Sequence, residues 1–196
     1  MLLQTDPELP SMAAFLLAVG IWIVSDWSIA FRYRDPADAS QDRGSKRAIG
    51  LAVVGGVLVG ALAATLAPSL RLPSPTVAFW LGLAVILVGV AVRQYAVWVL
   101  DDSFSLVVTV DESDAVVDSG PYRWVRHPSY TGALLSMVGL GIAIANWLSM
   151  LVLVVAGLSG YGYRIRVEER ALRETLGDEY DEYENRTPYR LVPGLW

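Results

Sequence analysis

Long apolar stretches constrain this chain more than any other feature of its sequence. Three of them occupy residues 12–31, 48–70 and 76–100. A helix rises about 1.5 Å per residue, so about 20 apolar residues cross the roughly 30 Å hydrocarbon layer of a bilayer. Each of these stretches reaches that length. We therefore predict three membrane-spanning helices at these positions.

A fourth apolar run, residues 130–163, is too long for one straight span and is interrupted at Asn146. We predict a helical hairpin with arms at 130–145 and 147–163, each short enough to require tilting or shielding by neighbouring helices. A single long tilted helix is the alternative interpretation. With the hairpin, residues 1–196 form a single all-α integral membrane domain with about five transmembrane helices.

The composition agrees with a membrane protein and excludes several kinds of site. Hydrophobic residues make up 54% of the 196 residues and charged residues 18%, against about 25% charged in soluble proteins. The chain has no cysteine and one histidine, which excludes disulfides, thiolate nucleophiles and Cys-based or multi-His metal sites. Its formal net charge of −5 argues against a nucleic-acid partner. We therefore expect neither a metal nor a nucleic acid.

Basic residues predict the orientation in the membrane, because short loops rich in Arg and Lys stay in the cytoplasm. Five basic residues lie in 32–47, two at Arg123 and Arg126, and six from Arg164 onward, whereas the opposite side carries only Arg71. We predict an N-terminus outside, with the loop 101–129 and the tail 164–196 in the cytoplasm. A charged surface helix is expected within this tail at 178–186, ending before Thr187-Pro188.

Glycines recur inside the predicted spans, at Gly56, Gly60, Gly139 and Gly141. Small residues let helices pack closely in lipid, which is the role we expect for them. No glycine cluster follows a strand and opens a soluble helix, so a Rossmann-type cofactor site is not predicted.

Candidate site residues cluster where the polar loop meets the fourth apolar run. Gly120-Pro121 and His127-Pro128 bias the backbone away from helix, and we expect irregular structure with free N–H groups over 122–129. His127 either caps a helix or bonds a loop carbonyl, or it contacts a ligand. Tyr122 and Tyr130 are equally open, because tyrosines also anchor helices at membrane interfaces. The two valine-rich runs of the loop are candidate short strands or extended segments that lie on the bundle.

Arg164 and Glu168 stand four residues apart near the end of the last apolar run, on one face of a helix. Such a pair is usually a solvated ion pair. Beside a loop with His and Tyr, it is also what a zwitterionic cofactor and an anionic substrate would require.

The sequence GPYRWVRHPSYTG at 120–132, the pair Glu168-Glu169 and LGDEYDEY at 176–183 resemble the isoprenylcysteine carboxyl methyltransferase family and its prokaryotic relatives. The resemblance covers about residues 90–190 and begins at Arg93-Gln94-Tyr95-Ala96. The same pattern is shared with phospholipid N-methyltransferases and, more distantly, with sterol reductases.

The resemblance implies a methyltransferase of a prokaryotic cell membrane that binds S-adenosylmethionine in a cytoplasm-facing pocket. Arg164 matches the arginine that faces the substrate carboxylate, so it is the implied catalytic and substrate-binding residue. The acceptor would be isoprenylcysteine-like or another lipophilic molecule that enters from the bilayer. The implied cofactor contacts are Thr109, Asp114, Ala115, Val116, Val117, Tyr122, His127, Pro128, Ser129, Tyr130 and Glu168.

Three other functions are compatible with such a bundle. A phospholipid or amine N-methyltransferase uses a neutral nitrogen nucleophile, for which an arginine at the acceptor site is unhelpful. A non-catalytic membrane protein or transporter would need charges along a path through the bilayer, and only Asp26 and Arg93 approach that. A reductase would bind a nicotinamide cofactor, yet no basic cluster suits its second phosphate. Carboxyl O-methylation is therefore favoured.

Overall fold

The computed structural model describes residues 9–32, 44–100 and 116–196, and these residues form a helical bundle. Within this described part the regular structure is entirely helical, with short 3-10 turns at Pro68–Leu70 and Gly120–Arg123. This confirms the predicted all-α fold. The helices are α1 (Leu9–Arg32), α2 (Ser45–Leu66), α3 (Pro75–Leu100), α4 (Pro128–Ile144), α5 (Trp147–Leu176) and α6 (Asp178–Arg186).

Four of these helices are long and apolar enough to cross a membrane, namely α1, α2, α3 and α5. The apolar helix α4 is shorter, with 17 residues. Large apolar side chains cover the outside of the bundle, as at Leu17, Leu51 and Trp98, which are 66%, 76% and 69% exposed. A continuous apolar exterior of this kind is suited to lipid. The chain is therefore an integral membrane protein, as the sequence predicted.

The run 130–163 forms two helices, because the chain reverses at Ala145 and Asn146. Ala145 adopts the left-handed conformation (φ 55°) and Asn146 caps α5, where its side chain accepts hydrogen bonds from the Leu148 and Ser149 amides at 3.0 and 3.1 Å. The Asn146 amide also donates to the Ala67 carbonyl at 2.8 Å. The polar residue that interrupts the apolar run is thus a helix cap that ties the hairpin to the end of α2.

Glycines bring α3 and α4 into backbone contact. A Cβ atom added at Gly139 would lie 2.6 Å from the Ile86 nitrogen and 2.8 Å from the Gly82 carbonyl oxygen. Between α2 and α5 the glycine packs against a small side chain, because a Cβ at Gly56 would lie 2.7 Å from the Ala156 Cβ. Close approach of the helices therefore requires glycine at these positions.

Polar contacts join several helices at one end of the bundle. Arg164 of α5 donates to the Ser45 hydroxyl in the first turn of α2 at 2.9 Å. Arg93 of α3 pairs with Asp26 of α1 at 2.8 Å and donates to the Ser129 hydroxyl of α4 at 3.3 Å. This end therefore gathers most of the residues that the sequence analysis singled out.

We expect Gly139→Ala to destabilise the bundle, because its methyl group would meet backbone atoms of α3 that cannot move aside. Overpacking of this kind costs about 1–3 kcal/mol. Thermal unfolding in detergent should show a lower Tm for this variant.

The control is Gly55→Ala on α2, where an added Cβ meets nothing within 4 Å. This variant should match or slightly exceed the wild-type Tm, since alanine favours helix. Equal Tm values for Gly139→Ala and wild type would contradict the proposed helix contact.

Candidate functional site

The segment before α4 is irregular over a shorter stretch than predicted. A 3-10 turn spans Gly120–Arg123 and the helix begins at Pro128, so residues 124–127 connect the two. Proline is favoured in the first turn of a helix, because its fixed φ is already helical and its missing N–H is not needed there. The residues before the prolines are non-helical, with φ 55° at Gly120 and φ −126° at His127. The expected irregularity is therefore wrong for Pro128 and Ser129, which are buried in α4.

A hydrogen-bonded chain links Arg164, Tyr130 and Glu168. The Tyr130 hydroxyl donates to Glu168 Oε2 at 2.6 Å and accepts from Arg164 Nε at 3.1 Å. Arg164 is 3% exposed, so the interpretation of Arg164 and Glu168 as a solvated pair is wrong. The buried Arg164 guanidinium and the partly exposed Glu168 carboxylate thus both bond to the Tyr130 hydroxyl.

His127 lies between two carboxylates. It is buried, and its ring stacks on Tyr130 with 5.6 Å between centroids and 10° between planes. Its Nε2 atom is 3.3 Å from Glu169 Oε1, and its Nδ1 atom is 4.0 Å from Glu168 Oε2. Its side chain makes no capping bond to α4, although the residue occupies the cap position. The imidazole therefore supports the Tyr130 ring and the two glutamates.

Glu169 is the central acceptor of this region and was not among the predicted site residues. It is 1% exposed. Arg126 donates to Oε1 through Nε and Nη2 at 3.1 and 3.0 Å, and Arg190 donates to Oε2 at 2.9 Å. Burial of a carboxylate is tolerated when several charged donors surround it. The carboxylate thus joins α5, the segment before α4 and the C-terminal tail.

Main-chain bonds hold the tail in the same place. The amides of Arg126 and His127 donate to the carbonyls of Tyr189 and Arg190, both at 2.9 Å. The Thr131 hydroxyl donates to the Leu191 carbonyl at 2.7 Å. The tail is therefore part of the site.

Tyr122 packs beneath this cluster. It is buried, its hydroxyl donates to the Ala96 carbonyl at 3.2 Å, and its own carbonyl accepts from the Tyr183 hydroxyl at 2.8 Å. Burial raises the pKa of Tyr122 and of Tyr183, which keeps both hydroxyls protonated as donors. These bonds fasten α6 and the 3-10 turn to the end of α3.

Some of the remaining predicted cofactor contacts lie within the described residues and others lie outside them. Pro128 is buried at the start of α4. The Val116 amide donates to Glu179 of α6 at 3.2 Å, and Val117 is half-buried beside it in the chain, with no strand at either position. Thr109, Asp114 and Ala115 lie outside the described residues, as does the first valine-rich run.

Tyr180 of α6 has a buried hydroxyl that finds no hydrogen-bond partner in the described part of the chain. The residue is 2% exposed, and its ring lies 5.8 Å from the Arg173 guanidinium and 6.0 Å from the Tyr183 ring. Burial, and then the charge of Glu169, raise the pKa of Tyr180. A buried, protonated and unpartnered hydroxyl costs about 1–3 kcal/mol, so it is a natural place for a polar group of a ligand.

Comparisons with known proteins identify the family of this chain. A family model described as phospholipid methyltransferase matches residues 77–179, which is more than half of the 196-residue chain. The chain belongs to the phospholipid methyltransferase family. The matched region of this family member runs from α3 into α6 and includes every cofactor contact predicted from the sequence.

Curated relatives carry the name suggested by the motifs. The protein-S-isoprenylcysteine O-methyltransferase of Saccharomyces cerevisiae is 38% identical over 108 residues, covering 54% of this chain and 45% of that protein. The enzyme of the same name from Xenopus laevis is 32% identical over 113 residues, covering 57% of this chain and 39% of that protein. The chain matches about half the length of such relatives or less. The resemblance to the isoprenylcysteine carboxyl methyltransferase family is thereby confirmed.

A solved structure shows the same fold. It is that of a eukaryotic intramembrane Ras methyltransferase, isoprenylcysteine carboxyl methyltransferase, with a TM-score of 0.68 and 22% identity over 95% of this chain and 68% of that one. The roles of individual site residues in this family member stay predictions.

The Glu168-Glu169 pair is part of the family motif, but only Glu168 was predicted to contact the cofactor. Adjacent residues of a helix point about 100° apart, so the side chains of Glu168 and Glu169 must lie in different environments. No sequence motif pointed to Ser45, which contacts Arg164. The two residues meet only because α2 packs against α5.

We expect Glu169→Gln to destabilise the protein by on the order of 3 kcal/mol, because it leaves buried guanidinium groups without their counter-charge. Thermal unfolding in detergent should show a clear fall in Tm. Glu174→Gln, an exposed change on the same helix, is the matched control and should leave the Tm unchanged. A Glu169→Gln protein as stable as this control would refute the central role of Glu169.

Proposed function

We propose that this chain is an integral-membrane methyltransferase that transfers the methyl group of S-adenosylmethionine to the carboxylate of a lipophilic, isoprenylcysteine-like acceptor. The observation that carries the proposal is the buried Arg164, joined through the Tyr130 hydroxyl to Glu168. The names of the curated relatives support the reaction, and the apolar exterior supports an acceptor that arrives through the membrane.

The residues present fit S-adenosylmethionine by charge and by hydrogen bonding. This cofactor is zwitterionic and carries hydroxyl groups, and it supplies an electrophilic methyl group on a sulfonium sulfur. Glu168, whose side chain is 28% exposed, can accept from a cationic or hydroxyl-bearing part. The unpartnered Tyr180 hydroxyl supplies a further polar contact. Tyr122, Pro128, Ser129 and the backbone around Val116 and Val117 would complete the pocket, together with Thr109, Asp114 and Ala115.

An ionised carboxylate needs no general base to attack a methyl group, so the protein contributes binding and orientation. Arg164 would hold this carboxylate through charge-assisted N–H···O bonds. Its own position is fixed by Ser45 on one side and Tyr130 on the other. His127 acts one step further away, because it stacks on Tyr130 and thereby sets where the phenol points.

Methylation of a phospholipid amine is the second candidate, and the description of the family model favours it. A neutral amine gains nothing from a guanidinium group, whereas a carboxylate does. The buried Arg164 therefore favours the carboxylate. We further propose that this end of the bundle faces the cytoplasm, as the distribution of basic residues predicts. The resemblance to prokaryotic members of the family supports a prokaryotic cell membrane.

Binding of S-adenosylmethionine to the detergent-purified protein, measured by calorimetry, tests the cofactor. Wild type should bind, and Glu168→Gln should weaken binding about tenfold or more, since a hydrogen bond to a charged group is worth about 1.5–3 kcal/mol. Glu174→Gln should bind like wild type. The proposal would be contradicted if folded wild-type protein bound no S-adenosylmethionine.

The same preparation tests the acceptor through methyl transfer to N-acetyl farnesylcysteine or to phosphatidylethanolamine. We expect methylation of the prenylated carboxylate, and a KM for it that rises at least tenfold in Arg164→Lys while the Kd of the cofactor stays constant. Methylation of phosphatidylethanolamine alone would establish the second candidate instead.

Tyr180→Phe separates a ligand contact from a structural one. Because the Tyr180 hydroxyl has no described partner, its removal should leave the Tm unchanged or higher while it weakens cofactor binding several-fold. Tyr183→Phe is the matched control: it loses the bond to the Tyr122 carbonyl and should lower the Tm. A Tyr180→Phe protein with wild-type cofactor affinity would exclude this contact.

A further inference from the structure

Two arginines lie on the outer face of α5. Arg166 and Arg170 are exposed, and neither takes part in an ion pair with any residue that the structure describes. Arg166 lies two residues after Arg164, and Arg170 lies two residues after Glu168. Two residues correspond to about 160° around a helix, so each arginine points away from the residue that it follows. Their side chains therefore point away from Arg164 and Glu168, although the cavity that they line shares Glu169 and Arg190 with the ion-pair network beside the candidate site.

These arginines line a surface cavity of about 370 Å³. Arg173 and Arg190 are also in its wall, together with Glu169 and Glu174. Arg190 is already paired with Glu169, and Arg173 is paired with Glu184 at 2.6 Å. Arg166 and Arg170 are then left with Glu174 as the remaining carboxylate of the lining. The cavity has a surplus of positive charge, although the chain as a whole has a net charge of −5.

The outward face of α5 changes from apolar to cationic along its length. Leu151, Val155 and Leu158 are 57%, 53% and 43% exposed, and no described helix covers them. Arg166 points within about 20° of the direction of Val155, and Arg170 within about 60°. The apolar stripe therefore leads to the cavity.

The distance along this face matches one leaflet of a bilayer. Val155 and Arg166 are about 16 Å apart along the helix axis, and half of the hydrocarbon layer is about 15 Å. Tyr163, 40% exposed, lies between them, where interfacial tyrosines are common. Arg166 is thus at the depth of lipid phosphates when Val155 is near the middle of the membrane. Arg170 lies about one helical turn further out, at about 22 Å from Val155 along the axis, among the headgroups.

We propose that this cavity binds the phosphate of an anionic phospholipid, with the acyl chains along the Leu151, Val155 and Leu158 stripe. The planar guanidinium fork suits phosphate oxygens and can bind two at once. The surplus positive charge favours a headgroup with net negative charge over a zwitterionic one. The apolar stripe favours a lipid over a soluble anion, which would gain nothing from it.

The test compares thermal unfolding of the full chain in nanodiscs of phosphatidylcholine with nanodiscs that also contain phosphatidylglycerol. We expect phosphatidylglycerol to raise the wild-type Tm by several degrees. The double variant Arg166→Gln/Arg170→Gln should match wild type in phosphatidylcholine but lose at least half of that rise. Arg71→Gln, an exposed arginine at the other end of the bundle, should retain it.

Three results would overturn the proposal: no rise for wild type, an equal rise for the double variant, or an equal rise when inorganic phosphate or glycerol 3-phosphate is added to phosphatidylcholine nanodiscs. The last of these would identify a soluble-anion site. The measurement needs no S-adenosylmethionine, so its outcome is independent of the proposed methyl transfer.

Discussion

The buried carboxylate of Glu169 organises the polar end of this protein. A carboxylate removed from water is tolerated only with charged donors in good geometry, and Arg126 and Arg190 provide them. These donors come from the segment before α4 and from the tail, so one group fixes three parts of the chain. Arg126 also pairs with Glu184 at 2.9 Å, which adds α6 to the same network. The position of His127, one residue from Arg126, follows from these contacts.

The packing of the membrane helices reaches the site through Arg93. Glycine contacts let α3 and α4 approach so closely that Arg93 can donate to Ser129 while it pairs with Asp26 of α1. Ser129 is in the first turn of α4, directly before Tyr130. A shift between α3 and α4 would therefore move Tyr130 relative to Glu168. Stability of the bundle and geometry of the site are thus coupled by one half-buried cation, Arg93.

Much of the fold is predictable because hydropathy and caps are local properties. The charged helix expected at 178–186 has those bounds in the structure, set by Gly177 and by Thr187-Pro188. The family motifs likewise pointed to Tyr130, Arg164 and Glu168, which the structure brings together. The partners of Glu169 were not predictable, because arginines are numerous here and only tertiary packing selects among them. The irregular stretch was predicted too long, since proline starts a helix as readily as it ends one.

One helix carries three distinct chemical surfaces at its polar end. Successive residues of α5 turn by about 100°, so Arg164 and Glu168 face the candidate site, Glu169 faces the tail, and Arg166 faces outward. A lipid on the outer face would change acceptor binding on the inner face only if its affinity differs between two positions of α5. Glu169 holds α5 against the tail by several charge-assisted bonds, which opposes such a movement. The proposed lipid therefore acts first on stability, and an effect on catalysis requires the network around Glu169 to open.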